Sequence, residues 1–211
     1  MGWIMGCSME ISKELAKEIE SIDAVLREKD NVREEVIKLS REIVRISGQV
    51  ISLTHRNDYS TAREYINTLV NTVNKLKNLV ENHPEIKYSG LVYGCLSEYV
   101  EARVFYSIVT ENRIPGLEEL GVTAVPYLQG LGDVIGELRR LVIRLLDVLE
   151  IEKAEKYLEV METIYEKLKV LDYPDALVPG LRHKVDVASR LIEDTRVLII
   201  NTKNSVRCLA K

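Results

Sequence analysis

Two pairs of carboxylates stand at helical spacing in this sequence, Glu98 with Glu101 and Asp133 with Glu137. The first pair lies in LVYGCLSEYVEARVFYSIV, where Glu98, Glu101 and Arg103 are the charged side chains of a segment that otherwise reads as buried. Taking a carboxylate out of water is costly unless it is paired, protonated or bound to a metal ion. At i and i+3 the two glutamates project about 60° apart around a helix, so both can grip one ion. In LGDVIGELRR, Asp133 and Glu137 fall at i and i+4, about 40° apart by the same geometry. Two such pairs facing each other make a site of four carboxylates.

An oxygen-only donor set suits a hard cation, magnesium or manganese, whereas zinc and iron sites recruit His or Cys. None of His55, His83 and His183 falls within these motifs. Carboxylates holding such ions are the usual means of activating water against a phosphodiester, so the reaction class is phosphoryl-ester hydrolysis. Two plainer readings stand beside this one. Asp133, Glu137, Arg140 and Arg144 form a stripe that a solvated, self-paired helix face would also show. Glu98 and Glu101 would equally serve as partners of Arg103 or of a basic residue on another helix.

The elements that carry these residues are helical. Ile11, Leu15, Ile19, Ile22, Leu26, Val36, Ile43 and Val50 recur at helical spacing from Met9 to about Arg56, which predicts one long amphipathic helix, with a possible break near Asp30. A second begins at 58–61, with Thr61 and Glu64 at capping-box spacing, and stops before Pro84. A third covers about Tyr88 to Thr110, and a fourth runs from near Pro126 to Leu149. Its glycines, Gly130, Gly132 and Gly136, cost helix stability unless another backbone comes close. The fifth spans about Glu152 to Leu171 and the sixth Leu181 to about Asn201, with a loop at Pro174 to Gly180 between them. Strand periodicity is absent. The expectation is an all-α antiparallel bundle of six to seven helices, with residues 1–8 a disordered tail and 9–211 one domain.

Composition agrees. The chain has 211 residues, 46% hydrophobic and 29% charged, too apolar for disorder and too interspersed with charge for a membrane protein. Arg103 interrupts one apolar run, and Arg139, Arg140 and Arg144 another, before either could span a bilayer. A formal charge of −4 argues against a surface coated for duplex DNA but permits a basic cavity. Cys7, Cys95 and Cys208 form neither a disulfide framework nor a zinc pattern, and a reducing cytoplasm is the compartment expected.

Four blocks in order resemble the translin superfamily. REEVIKLSREIVRISGQVISLTHR (Arg33 to Arg56) resembles the first long helix of its translin-associated factor X branch, and CLSEYVEARVF (Cys95 to Phe105) the glutamate-bearing helix of that branch. VTAVPYLQGLGDVIGELRRL (Val122 to Leu141) is similar to its GELxR motif, and LRHKVDVASRLIEDT (Leu181 to Thr195) to the last helix of translin. In the factor X branch the two glutamates and the aspartate are catalytic, magnesium-binding carboxylates of an endonuclease for single-stranded RNA. The corresponding positions here are Glu98, Glu101 and Asp133, with Glu137 beside them. The translin branch lacks the glutamate pair, so the resemblance implies an active chain. The animal enzyme is a mixed barrel; for a single chain the resemblance implies a homo-oligomeric, barrel-like shell, with an octamer as the candidate size, acting on single-stranded RNA or DNA.

Lys38, Arg41 and Arg45 share a face of the first helix and are the candidate phosphate contacts, with a salt-bridged face through Glu34 and Glu42 as the plainer reading. Tyr88, Tyr93, Tyr99, Tyr106 and Tyr127 could stack bases or serve as core tyrosines. His55 and His83 fall near helix ends, where capping a carbonyl is the default. The competing functions are a catalytically silent nucleic-acid-binding shell and, from another class, an all-α nucleotide pyrophosphohydrolase.

Overall fold

The first helix, α1 (Gly2–His55), changes role along its length. Ile11, Leu15, Ile19, Ile22 and Leu26 are exposed, whereas Val36, Ile43, Ile46 and Val50 are wholly buried. The computed structural model describes the backbone of residues 2–209 and the side chains of residues 10–208. The tail expected over residues 1–8 therefore lies outside the described side chains, and α1 is bounded at Gly2. The break expected near Asp30 is not there: the helix runs through it, and Asp30 accepts from Arg33 at 3.3 Å on the solvent side.

A turn over residues 56–58 reverses the chain into α2 (Tyr59–Val80). Its N-cap is Asp58, whose carboxylate accepts from Thr61 N at 3.3 Å, so Thr61 lies inside the first turn and does not cap it. Ala62, Ile66, Leu69, Val73, Leu76 and Val80 form the buried row. Pro84 starts the short helix α3 (Pro84–Lys87), because the first helical position needs no N–H. Ser89 then caps α4 (Gly90–Glu111), the most buried helix. A second short helix, α5 (Leu117–Leu120), precedes α6 (Ala124–Asp147), α7 (Ile151–Lys169) and α8 (Leu181–Leu209). With the two short helices, the described residues hold eight where six to seven were expected, and α8 continues past Asn201.

The fold is an all-α antiparallel bundle with a long first helix. Helices α2 and α4 pack on α1, α6 packs on α4, and α7 and α8 close against α6. One continuous apolar cluster runs through them, with Phe105 its largest fully buried side chain. The α4–α6 contact depends on Gly130: a Cβ there would stand 2.6 Å from Val100 Cβ and 2.8 Å from the Ser97 carbonyl. Gly132 is tight against Lys184 at 3.1 Å, but a Cβ on Gly136 would meet nothing within 4 Å, so the close approach expected at that third glycine is absent. Among the described residues no helix is long and apolar enough to cross a membrane.

Candidate active site

The close approach at Gly130 brings the acidic stretch of α4 against that of α6. Glu98 and Glu101 come from α4, Asp133 and Glu137 from α6, and these charges act on one another. Glu101 is buried, 8% exposed. Burial first, then the charges of Asp133, Glu98 and Glu137, push its carboxyl up to about 8 against the opposing pull of Lys184. The Glu98 carboxyl is likewise raised, by burial and then by Asp133, with Lys184 working in the other direction. Near neutral pH this arrangement favours the protonated form of Glu101. The two glutamates are not partners of Arg103, which instead donates to the Tyr99 hydroxyl at 3.1 Å and lies over that ring.

Two cations offset the cluster. Lys184 of α8 donates to both oxygens of Asp133, at 2.5 Å for Oδ2, while Ser97 donates to the same oxygen at 3.4 Å. Glu137 is held from two sides: His55 Nε2 lies 2.6 Å from its Oε2, and Arg140 Nη1 donates to that oxygen at 3.1 Å. His55 does not cap a carbonyl as expected. It is buried at the end of α1, its ring 4.7 Å from that of Phe105 and tilted 43° to it, with Nδ1 lacking a partner. His83 is the N-cap residue of α3 without a side-chain bond, and His183 is exposed.

A cavity of about 410 Å³ opens over this cluster, walled by Glu98, Glu101, Glu137 and His55 and rimmed by Arg56, Arg140 and Arg144. Glu98 also borders a groove of about 510 Å³ on its other side, where Arg41 and Arg45 lie. Lys38 belongs to neither, being paired with Glu35 at 2.7 Å. Of the tyrosines, Tyr99 is buried, and the Tyr106 and Tyr127 hydroxyls donate to the carbonyls of Tyr59 and Pro115 at 3.5 and 3.1 Å. Tyr88 and Tyr93 line a different depression beside α2.

In kind, the donors fit a hard divalent cation: they are carboxylates, and burial together with the neighbouring charges favours on Glu101 a proton that an ion could replace. As arranged, Asp133 is turned to Lys184 and Glu137 to His55 and Arg140. Among the described residues no three His, Cys, Asp or Glu side chains converge as a ready metal cage. Spacing alone did not reveal His55, Lys184 or Arg56, although His55 and Arg56 close the Arg33–Arg56 block and Lys184 lies in the Leu181–Thr195 block.

Residues 31–194 match a family model described as the Translin family. An uncharacterised protein of Methanocaldococcus jannaschii, MJ0175, is 36% identical over 171 residues, 81% of this chain and 76% of that protein. Among solved structures, AfC3PO is 34% identical with a TM-score of 0.82, over 89% of this chain and 98% of that one. AfC3PO in complex with duplex RNA gives 32% and 0.82, over 89% and 97%. NeC3PO in its apo form gives 30% and 0.77, over 86% and 96%.

Proposed function

The chain belongs to the Translin family, and from that premise we propose that it binds RNA and hydrolyses the phosphodiester backbone at Glu98, Glu101, Asp133 and Glu137. The observation that carries this reading is the cavity in which Glu98, Glu101 and Glu137 meet Arg56, Arg140 and Arg144. A phosphodiester needs cations for its charge and carboxylates for the chemistry, and the cavity offers both within one wall. Magnesium or manganese is the proposed cofactor, held by Glu98, Glu101 and Asp133; when bound it supplies charge neutralisation and an activated water. Arg56, Arg140 and Arg144 bind and orient the strand at the rim. Glu137, fixed by His55 and Arg140, is placed to take a proton from water or to complete the ligand set.

The substrate proposed for cutting is a single strand. Glu101 is recessed, and an unpaired strand can bend its backbone into such a cavity where a duplex cannot. AfC3PO has been solved with duplex RNA, so binding and cutting are to be measured separately for the two forms. A homo-oligomeric shell is proposed because Ile11, Leu15, Ile19, Ile22 and Leu26 leave an apolar stripe of α1 exposed, 45 to 60% each, in a single copy. The cytoplasm suits the free thiols of Cys95 and Cys208.

A second reading, the silent RNA-binding protein, is favoured by one feature: Lys184 already neutralises Asp133. The test is incubation of the purified chain with end-labelled single-stranded RNA and its duplex, with magnesium, with manganese and with chelator. Metal-dependent cutting of the single strand supports the nuclease. Binding without cutting selects the silent protein, and turnover of nucleoside triphosphates instead of RNA selects the pyrophosphohydrolase.

A further inference from the structure

The groove on the far side of Glu98 is built for something the cavity chemistry does not use. It runs between α1 and α4, with Arg41 and Arg45 along one wall and Gly90 and Gly94 opposite. A Cβ on either glycine would meet nothing within 4 Å. Glycine inside a helix costs stability relative to alanine, and no backbone or side chain takes up the space left beside Gly94. A second observation points to a ligand. Ser40 lines the groove, is 3% exposed, and its hydroxyl has no oxygen or nitrogen partner, its one contact being with the weakly accepting Cys95 sulfur. Such an orphan is costly unless a partner arrives.

We propose that this groove is a nucleobase subsite: an unpaired base of the bound strand lies against the Gly90–Gly94 face of α4, its edge bonded to Ser40 Oγ, with its phosphate on Arg41 and Arg45. Glu98 walls both groove and cavity, so the neighbouring phosphate of the same strand falls on the carboxylate cluster, with Arg56, Arg140 and Arg144 beyond it. Arg41 and Arg56 are 15 residues apart on or just past α1, about 22 Å along the axis, which several nucleotides span. An apolar helix face from a second copy packed here would bury the Arg41 and Arg45 guanidinium groups, of which Arg45 has Gln49 at 3.0 Å, and would leave the Ser40 hydroxyl unsatisfied. A nucleotide supplies a phosphate for the first and a polar edge for the second. The subsite also gives the single-strand preference a physical origin, since a paired base cannot leave its stack without cost. The inference rests on the phosphodiester reading of the neighbouring cavity.

The test is an anisotropy titration of the full-length chain, in chelator so that nothing is cut, with a labelled single-stranded RNA and with a strand of equal length lacking its bases. Gly94→Leu puts a side chain into the open space of the groove and changes none of the residues assigned to phosphate; its thermal transition should stay at or above the parent's. Gly94→Leu is expected to weaken RNA binding on the order of tenfold, the scale of the apolar area a base buries against the helix face, and to leave binding of the base-free strand unchanged. Ser40→Ala should cost about threefold in the same sense, the scale of one hydrogen bond. Parental RNA affinity in Gly94→Leu, or equal loss for both strands, overturns the subsite. A smaller assembly by light scattering also overturns it and assigns the groove to a second copy. A parent chain that binds neither strand overturns the phosphodiester reading as well.

Discussion

His55 Nε2 stands 2.6 Å from Glu137 Oε2, tying the last turn of α1 to the middle of α6 through a bond that is almost wholly out of water. The pair fixes one wall of the cavity. His55→Ala removes this bond and the tilted ring contact with Phe105 together. It is expected to cost about 2–4 kcal/mol of stability by thermal melting, the sum of a charge-assisted bond and a partly filled cavity. The cleavage rate should fall roughly 10- to 100-fold, the scale of lost positioning shells around metal ligands. His55→Gln, which keeps a donor, should recover part of both. An unchanged melting temperature in His55→Ala would contradict the contact.

Glu101 sets a pH dependence of stability. Its carboxyl is raised from an ordinary 4.5 to about 8 in the folded chain. Between these values the folded state holds a proton that the unfolded state has released, so stability is lost as pH rises through that window. Below 4.5 both states are protonated and there is no penalty; above about 8 the penalty is complete. Glu101→Gln abolishes it. The variant should match the parent near pH 4 and exceed it by on the order of a few kcal/mol near pH 9, in chelator. A stability difference that does not grow with pH would contradict the buried, mutually repelling placement of Glu101.

Lys184 is the counter-charge of the cluster. Lys184→Met leaves Asp133 without its strongest partner and removes the pull that lowers Glu98 and Glu101. With both partners under a third exposed, the expected loss is about 1–3 kcal/mol at pH 8 in chelator, short of the cost of breaking a fully buried pair. Adding magnesium should restore more stability to this variant than to the parent, because the ion then supplies the missing charge. Equal stabilisation by magnesium in both chains would contradict a shared site.

Gly130 and Gly136, about one and two-thirds turns apart on α6, should respond in opposite directions. Gly130→Ala drives a methyl group into Val100 and the Ser97 carbonyl, with an expected cost of about 1–3 kcal/mol and a loss of cleavage as α4 moves from α6. Gly136→Ala meets open space and should gain up to about 1 kcal/mol. Melting curves of the two variants check both signs.

The sequence exposed those parts of the site that are local. Glu98 and Glu101 stood out because charge is rare in an apolar helix, and Asp133 with Glu137 because their spacing is helical. Lys184 was illegible, since its pairing with Asp133 bridges 51 residues and exists only after α8 packs on α6. His55 read as a cap because it ends a helix; only the packing of α1 on α4 and the reach to α6 turns it inward. Pro84 read correctly as the end of a helix, but its other property, a preference for the first helical turn, also made it the start of α3. The exposed N-terminal stripe of α1 has the same periodicity as the buried part, and periodicity does not report which length of a helix has a neighbour.

The most direct measurement is the rate at which Glu98→Gln cuts end-labelled single-stranded RNA in magnesium, beside the parent and the chelator control. The substitution removes one anionic ligand at nearly constant volume, and by relieving repulsion from Asp133 and Glu137 it should leave the melting temperature unchanged or raised. The expected result is a folded protein that binds RNA and cuts no faster than the parent does in chelator. A Glu98→Gln chain that cuts at the parental rate would contradict the carboxylate cluster as the catalytic centre.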